Sequence, residues 1–369
     1  MKRKLPTPKT TQRGMGLVEI MVALVIGLVA SLVIFQTLRD SGRRATTTTS
    51  GGDALTSGAL ALHYLERDIR QAGWGFAAQD EEAATNLNGA VNCNFGGNWT
   101  TSGGTSSTAA QALMPIAIRG GLGAPNHLLV TYGTSTINTG ASKFSKLSDY
   151  ELATQNHHGF AEGDRLILAP SLAGDCQLAT VTKVVHETGR VTIAEVTSIS
   201  KGMIYNFGSP FKPPVPSVPP VPDDGFAPQR VEWSVNGNSA SLERRPLPGS
   251  GAGWRNTWLA SDFQPITAEV VADGVVEMQA RYRVRGGACQ LNPPASPRDI
   301  EGVCVGLLVR SKHYSETEVT PNAPTWVGGA FAATSGGACA DSPNCWENYR
   351  YEVFEKIIPM RNMIWGSRS

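Results

Sequence analysis

Residues 12–35 read QRGMGLVEIMVALVIGLVASLVIF, a nearly uninterrupted apolar run that admits one carboxylate, Glu19, near its start. As a helix, residues 17–35 rise about 28 Å, close to the ~30 Å hydrocarbon core of a bilayer. A carboxylate in lipid costs roughly 2.5–3.5 kcal/mol at a helix centre on insertion scales, and less near its end. Glu19 therefore asks for a partner. Snorkelling of its carboxylate to the interface is the plainer alternative.

Outward from this run, the first fourteen residues hold Lys2, Arg3, Lys4, Lys9 and Arg13 and no acid. That bias predicts a cytoplasmic N-terminus, with everything after Phe35 on the outer side. Setting those five aside leaves 27 basic against 31 acidic residues, a net charge of −4. A mildly acidic body argues against general nucleic-acid binding, which requires a basic face. With 40 glycines, 23 prolines and 17% charged residues, the composition suits a loop-rich extracytoplasmic protein. The 369 residues suffice for one large domain or two modest ones.

A secretory signal peptide places its small-residue cleavage site after a short apolar stretch. Here the order is inverted: the run is longer, and Arg13-Gly14 precedes it. A cut after Gly14 removes a charged leader, residues 1–14, and leaves the hydrophobic helix on a mature chain beginning at Met15. The series Arg13-Gly14-Met15-Gly16-Leu17-Val18-Glu19 resembles the class III signal of type IV pilins and pseudopilins. The resemblance implies that a membrane-embedded prepilin peptidase cuts after Gly14 and N-methylates Met15. It also implies that Glu19, at the fifth mature position, pairs with the Met15 α-amine of a neighbouring subunit. Met15 departs from the phenylalanine common in that family, and the leader is rather long.

A long N-terminal helix is expected over residues 15–76, with its transmembrane segment at 17–35. If helical throughout, residues 15–72 extend about 87 Å. Four threonines and two glycines in residues 46–52 are poor helix formers, so a bend or melted turn is expected there. Beyond them Leu55, Ala59, Leu62, Leu65 and Ile69 recur at helical spacing and predict the packed face. Glu66 and Arg70 form an i,i+4 pair, and Gly73 supplies a C-terminal stop.

The remainder reads as β-strands with long loops. A first β-rich part spans residues 77–208 and a second spans 229–369. Between them, the proline-rich residues 209–228 predict an extended linker or surface loop. A glycine- and serine-rich loop is expected at residues 96–109. In the final block Tyr351, Val353, Phe354 and Ile357 are expected in the core. The six cysteines, Cys93, Cys176, Cys289, Cys304, Cys339 and Cys345, all fall on the outer side and predict disulfides. Nearness favours Cys289 with Cys304, Cys339 with Cys345, and Cys93 with Cys176; buried free thiols are the alternative.

Chemistry is sparse. The six histidines are His63, His127, His157, His158, His186 and His313, and the His157–His158 pair is their one cluster in sequence. Neighbours on a strand point to opposite faces, and the local candidates for a third ligand are Glu162 and Asp164. The reading is a solvated loop and no metal site. Residues 120–123 are glycine-rich but lack the phosphate-binding spacing, and no G-x-S-x-G elbow occurs. No catalytic residue and no cofactor are expected.

The segments LERDIRQAGWGF, GFAEGDRLILA, VVADGVVEMQARYRV and RYEVFEKIIPMRNMIWG resemble those of PilW-type minor pilins. Arg67-Asp68-Ile69-Arg70 and Arg361-Asn362 are the most specific elements outside the signal. The resemblance implies an α+β, pilin-like fold: a long N-terminal helix packed on antiparallel sheet, loop-rich and disulfide-bonded. It implies a minor pilin that primes type IV pilus assembly and sits at the tip. Its partners would be prepilin peptidase, other minor pilins, the major pilin and a large tip adhesin. It would be a single-pass inner-membrane protein before assembly and a pilus-tip, cell-surface protein afterwards. The rival readings are a minor pseudopilin of type II secretion and, from another class, a membrane-anchored periplasmic enzyme.

Overall fold

The computed structural model describes residues 16–76, 94–95, 99–100, 106–107, 111–112, 114–120, 127–135, 141–171, 176–194, 196–208, 229–247, 268–294, 297–334 and 345–365. Two compact units divide the chain, Met1–Gly52 and Asp53–Ser369. Helix α1, Leu17–Gln71, begins in the first and ends in the second. Its helical hydrogen bonding continues through residues 46–52, where a bend or melted turn was expected. Helix propagation is cooperative, so a short run of poor formers flanked by strong helix on both sides stays helical.

Along the chain the strands are β1 Ile116–Arg119, β2 His127–Tyr132, β3 Ser142–Lys146, β4 Glu151–Thr154, β5 Arg165–Pro170, β6 Gln177–Val185, β7 Arg190–Ile193 and β8 Lys201–Gly208. They continue with β9 Gln229–Asn236, β10 Ser241–Leu247, β11 Glu269–Asp273, β12 Val275–Val284, β13 Cys289–Gln290, β14 Ile300–Arg310 and β15 Tyr351–Pro359. A short helix α2, Arg361–Trp365, follows. Within the expected loop at 96–109, Trp99–Thr100 pairs with Ser106–Ser107, and Asn94–Phe95 pairs with Gln111–Ala112 on either side of it.

Three antiparallel assemblies result. A five-stranded sheet runs β11-β10-β9-β2-β1, a four-stranded sheet runs β13-β12-β14-β15, and β6-β7-β4-β3-β8-β5 close into a barrel. Strands from both sides of residues 209–228 share the five-stranded sheet, since Val231 of β9 lies opposite Val130 of β2. Residues 209–228 themselves lie outside the described residues. The barrel is an insertion between the neighbouring strands β2 and β9. Its interior is filled by Phe144, Leu152, Phe160, Leu166, Leu168, Val181, Val191, Ile193 and Ile204. A barrel of this size has room for side chains alone.

Strands β5 and β8 serve two cores by their alternation. Leu166, Leu168 and Ile204 point into the barrel, while Ile167, Ala169, Tyr205 and Phe207 join the main core. That main core also takes Ala54, Ala61, Leu65 and Ile69 of α1, with Trp233 of β9 and Val303, Val305 and Leu307 of β14. The buried face of α1 is therefore offset from the expected one: Leu55 and Ala59 are exposed and Leu62 only half-buried. Small residues at 54, 58 and 61 let the helix approach the sheet. A Cβ at Gly58 would overlap the Phe354 ring of β15.

On β15, even positions face the helix and odd positions face away. Phe354 packs on the main core and Ile358 is fully buried there, whereas Tyr351 and Val353 pack on a small core around Trp326 and Phe331. Ile357, expected in the core, is 52% exposed. On that face of the sheet Trp326 and Phe331 cover Cys304 and Leu308. That cover is pinned by a buried polar set: Trp326 Nε1 donates to Gln279 Oε1 at 2.9 Å, and Gln279 Nε2 donates to Glu277 Oε1 at 2.7 Å. The Ala333 N–H donates to the other Glu277 oxygen at 2.7 Å. A disulfide joins Cys289 to Cys304 with 6.0 Å between Cα atoms, as nearness in sequence suggested. Closing a loop of that size contributes about 3 kcal/mol in the chain-entropy picture. Cys176 and Cys345 are disulfide-bonded as well. Cys93 and Cys339 lie outside the described residues.

Candidate functional site

The N-terminal end of α1 is the first candidate. Gly14 and Met15 lie outside the described residues. From Gly16 the chain enters the helix directly, with the Glu19 and Ile20 amides donating to the Gly16 carbonyl at 2.9 and 3.3 Å. Glu19 sits in the first turn, where its negative charge complements the helix dipole. Its side chain is exposed.

Around it, Leu17–Arg39 is long and apolar enough to cross a membrane, and none of it is buried. The exposure continues round this segment, from Leu17 at 75% to Phe35 at 74%. A helix apolar on every side has no water-facing surface, so it requires lipid or other helices. Ala23, Gly27 and Ser31 recur at four-residue steps and line a shallow groove with Ile20, Leu24 and Leu28. Small residues at this spacing allow close helix–helix approach in lipid. The hydroxyls turn inward: Ser31 Oγ donates to the Gly27 carbonyl and Thr37 Oγ1 to that of Val33, each at 2.8 Å.

The opposite end of α1 is fixed by its Arg67-Asp68-Ile69-Arg70 motif. Asp68, only 1% exposed, accepts from Arg244 Nε at 2.7 Å and from Trp233 Nε1 at 3.2 Å. Burial and the nearby Asp68 charge push the Tyr132 phenol up to about 12. Glu66 accepts from Lys356 Nζ at 2.8 Å and pairs with Arg70, as its i,i+4 spacing predicted. The Lys356 hydrogen bond holds the Glu66 carboxyl below the usual range, outweighing a partial desolvation. Gly73, with φ of +81°, follows the helix end, and the Asn362 side-chain amide donates to the carbonyls of Gln71 and Ala72 at 3.2 and 3.1 Å. The terminal Arg361-Asn362 pair thus divides its work: Asn362 caps α1, and Arg361 is exposed.

The histidines form the second candidate. His157 and His158 lie in the loop after β4, beyond the strand whose alternation would have separated them. Their ring centroids are 4.1 Å apart, and His186 from the β6–β7 turn joins them at 5.7 and 5.9 Å. Glu162 and Asp164 are not part of the cluster. Asp164 is buried and accepts from the Ala161 amide at 2.9 Å and from Asn206 Nδ2 at 2.8 Å. Sequence reasoning missed His186 because it is remote in the chain. The signal that could have found it is the hairpin tip at 186–189 coming alongside the end of β4.

A family model described as the prokaryotic N-terminal methylation motif matches residues 9–35. No curated protein and no solved structure matches the chain. The motif indicates a type IV pilin- or pseudopilin-like protein, processed by prepilin peptidase and assembled with pilins in a pilus or pseudopilus. The apolar helix and the β-rich, disulfide-bonded unit that follows are compatible with an α+β pilin-like fold.

Proposed function

We propose that this chain is a minor pilin that primes type IV pilus assembly and takes its place at the pilus tip with other minor pilins. The major pilin lies beneath it, and a large tip adhesin is a further partner. In this reading its role is structural and not catalytic. The observation that carries the proposal is Glu19, exposed in the first turn of α1, whose residues 17–35 are apolar on every side and lie within the methylation motif.

The physics of transfer from bilayer to filament supports a special role for that carboxylate. Lipid tails are as apolar as leucine, so moving α1 from lipid into a helical bundle gains little from the hydrophobic effect. Packing along Ala23, Gly27 and Ser31 and the pairing of Glu19 must supply the preference. Cleavage after Gly14 creates an α-amine on Met15, and a neighbouring subunit's amine relieves the cost of holding Glu19 in an apolar setting. The pairing also sets the axial register of one helix on the next.

The test is the amount of pili sheared from cells lacking this chain, against a complemented control, with type II secretion assayed in parallel. Loss of pili restored by complementation, with secretion intact, is expected. Intact pili with a secretion defect would overturn the pilus assignment in favour of a pseudopilin.

A further inference from the structure

We propose that His157, His158 and His186 form a binding site for a divalent transition-metal ion of the Zn2+ class. The three come together through strand pairing. Ala153 of β4 lies opposite Arg190 of β7, so the chain leaving β4 runs beside the turn that precedes β7. One ring nitrogen from each of the three histidines lies within 4.8 Å of the others. Nitrogen ligands of a tetrahedral zinc at about 2.0–2.1 Å are separated by about 3.3 Å. Small side-chain rotations close that difference.

The backbone carrying the rings is braced before any ion arrives. The Thr154 amide donates to the Gly189 carbonyl at 2.9 Å, joining the end of β4 to the hairpin tip. The Asn156 amide donates to Ser142 Oγ at 3.1 Å. On the far side of the pair, Asn206 Nδ2 donates to the Gly159 carbonyl at 2.7 Å, and Phe160 is buried in the barrel core. Every segment bearing a ligand is thus tied to the barrel, which limits the entropy lost on binding.

The donor set decides the kind of ion. Three imidazoles, joined by no carboxylate among the described residues, favour Zn2+, Cu2+ or Ni2+ and disfavour Ca2+ and Mg2+, which take oxygen ligands. His158 and His186 are exposed and His157 is half-buried, so the remaining coordination position faces solvent. Water fills it in the isolated chain. Ligation would clasp the β6–β7 turn to the β4–β5 loop at one end of the barrel.

The test is calorimetric titration of Zn2+ into the detergent-solubilised full chain, free of any added histidine tag, with His158→Ala, His186→Ala and the control His313→Ala. One Zn2+ per chain is expected for wild type and control, with affinity lowered at least about tenfold in the two cluster variants. Ca2+ should give no heat of binding. Thermal melts separate ligation from folding: the cluster variants should melt like wild type without metal, and should gain less stability than wild type and control at the same Zn2+ concentration. Should His186→Ala fail to fold, His186→Asn is read in its place. No stoichiometric binding to wild type, or binding of unchanged affinity in the His186 variant, overturns the site and leaves the rings as an aromatic contact alone.

Discussion

Arg244 Nε donates to Asp68 Oδ2 across 2.7 Å, joining the last turns of α1 to strand β10 through a pair from which water is nearly excluded. The contact links residues far apart in sequence and places a charge on the helix face that periodicity alone would fill with leucine. Trp233 Nε1 shares the same carboxylate oxygen, so Asp68 holds two strands of the five-stranded sheet to one helix.

Removing one partner of such a pair strands the other, which costs more than the pair itself contributes. Asp68→Ala should therefore destabilise the chain by about 3 kcal/mol, measured by chemical denaturation in detergent. The same variant should lower the Tyr132 phenol from about 12, since Asp68 is one of the causes of its elevation, while burial keeps it above the ordinary value. An ultraviolet pH titration reads this directly. An unchanged Tyr132 with unchanged stability would show that the Asp68 contacts contribute nothing.

Acid should weaken the fold through two other carboxyls. His127 and Arg245 hold Glu232 below the usual range, the His127 hydrogen bond being the largest cause, and Lys356 and Arg70 do the same for Glu66. A carboxyl depressed in the folded state binds its proton more readily in the unfolded chain. Its stabilisation is complete above the unfolded value of 4.5 and is lost as pH falls through the lower folded value. The melting temperature should hold between pH 7 and about 5 and then drop on further acidification. A rise in melting temperature below pH 4.5 would contradict this.

At Gly58 helix propensity and packing oppose each other. Alanine is the better helix former by about 1 kcal/mol, yet a Cβ there overlaps the Phe354 ring. Gly58→Ala should destabilise the chain by about 1–3 kcal/mol in spite of the propensity gain. In a Phe354→Ala background the same substitution should become neutral or stabilising. This double-mutant cycle isolates the contact, and a Gly58→Ala chain as stable as wild type would remove it from the account.

The sequence made much of this fold legible where information is local. The membrane-length helix follows from residues 17–35, the helix stop from Gly73, and most long strands from alternation, because each rests on a few neighbouring residues. What sequence reading missed depends on pairings between distant segments. Closure of β3–β8 into a barrel, and the pairing of β2 with β9 across the proline-rich stretch, leave no mark in either strand alone. The helix face was legible only in part: Leu65 and Ile69 are buried as their spacing predicts, while Leu55 is exposed and Asp68 buried, a departure that Arg244 and the small residues at 54, 58 and 61 explain. Ile357 was preferred to Ile358 because the stripe drawn through Tyr351, Val353 and Phe354 mixed the two faces of β15. The histidine cluster shows the same limit: two members are adjacent in sequence, and the third arrives by strand register.

The claim at the centre of this account is that Glu19 acts in assembly and not in folding. The most direct measurement complements a deletion strain with wild type or Glu19→Ala and quantifies sheared surface pili. Intact mass and membrane abundance of the variant chain are recorded alongside. The account predicts a variant that is present in the membrane, begins at methylated Met15 and melts like wild type, yet restores few or no pili. Piliation restored to the wild-type level by Glu19→Ala would contradict it.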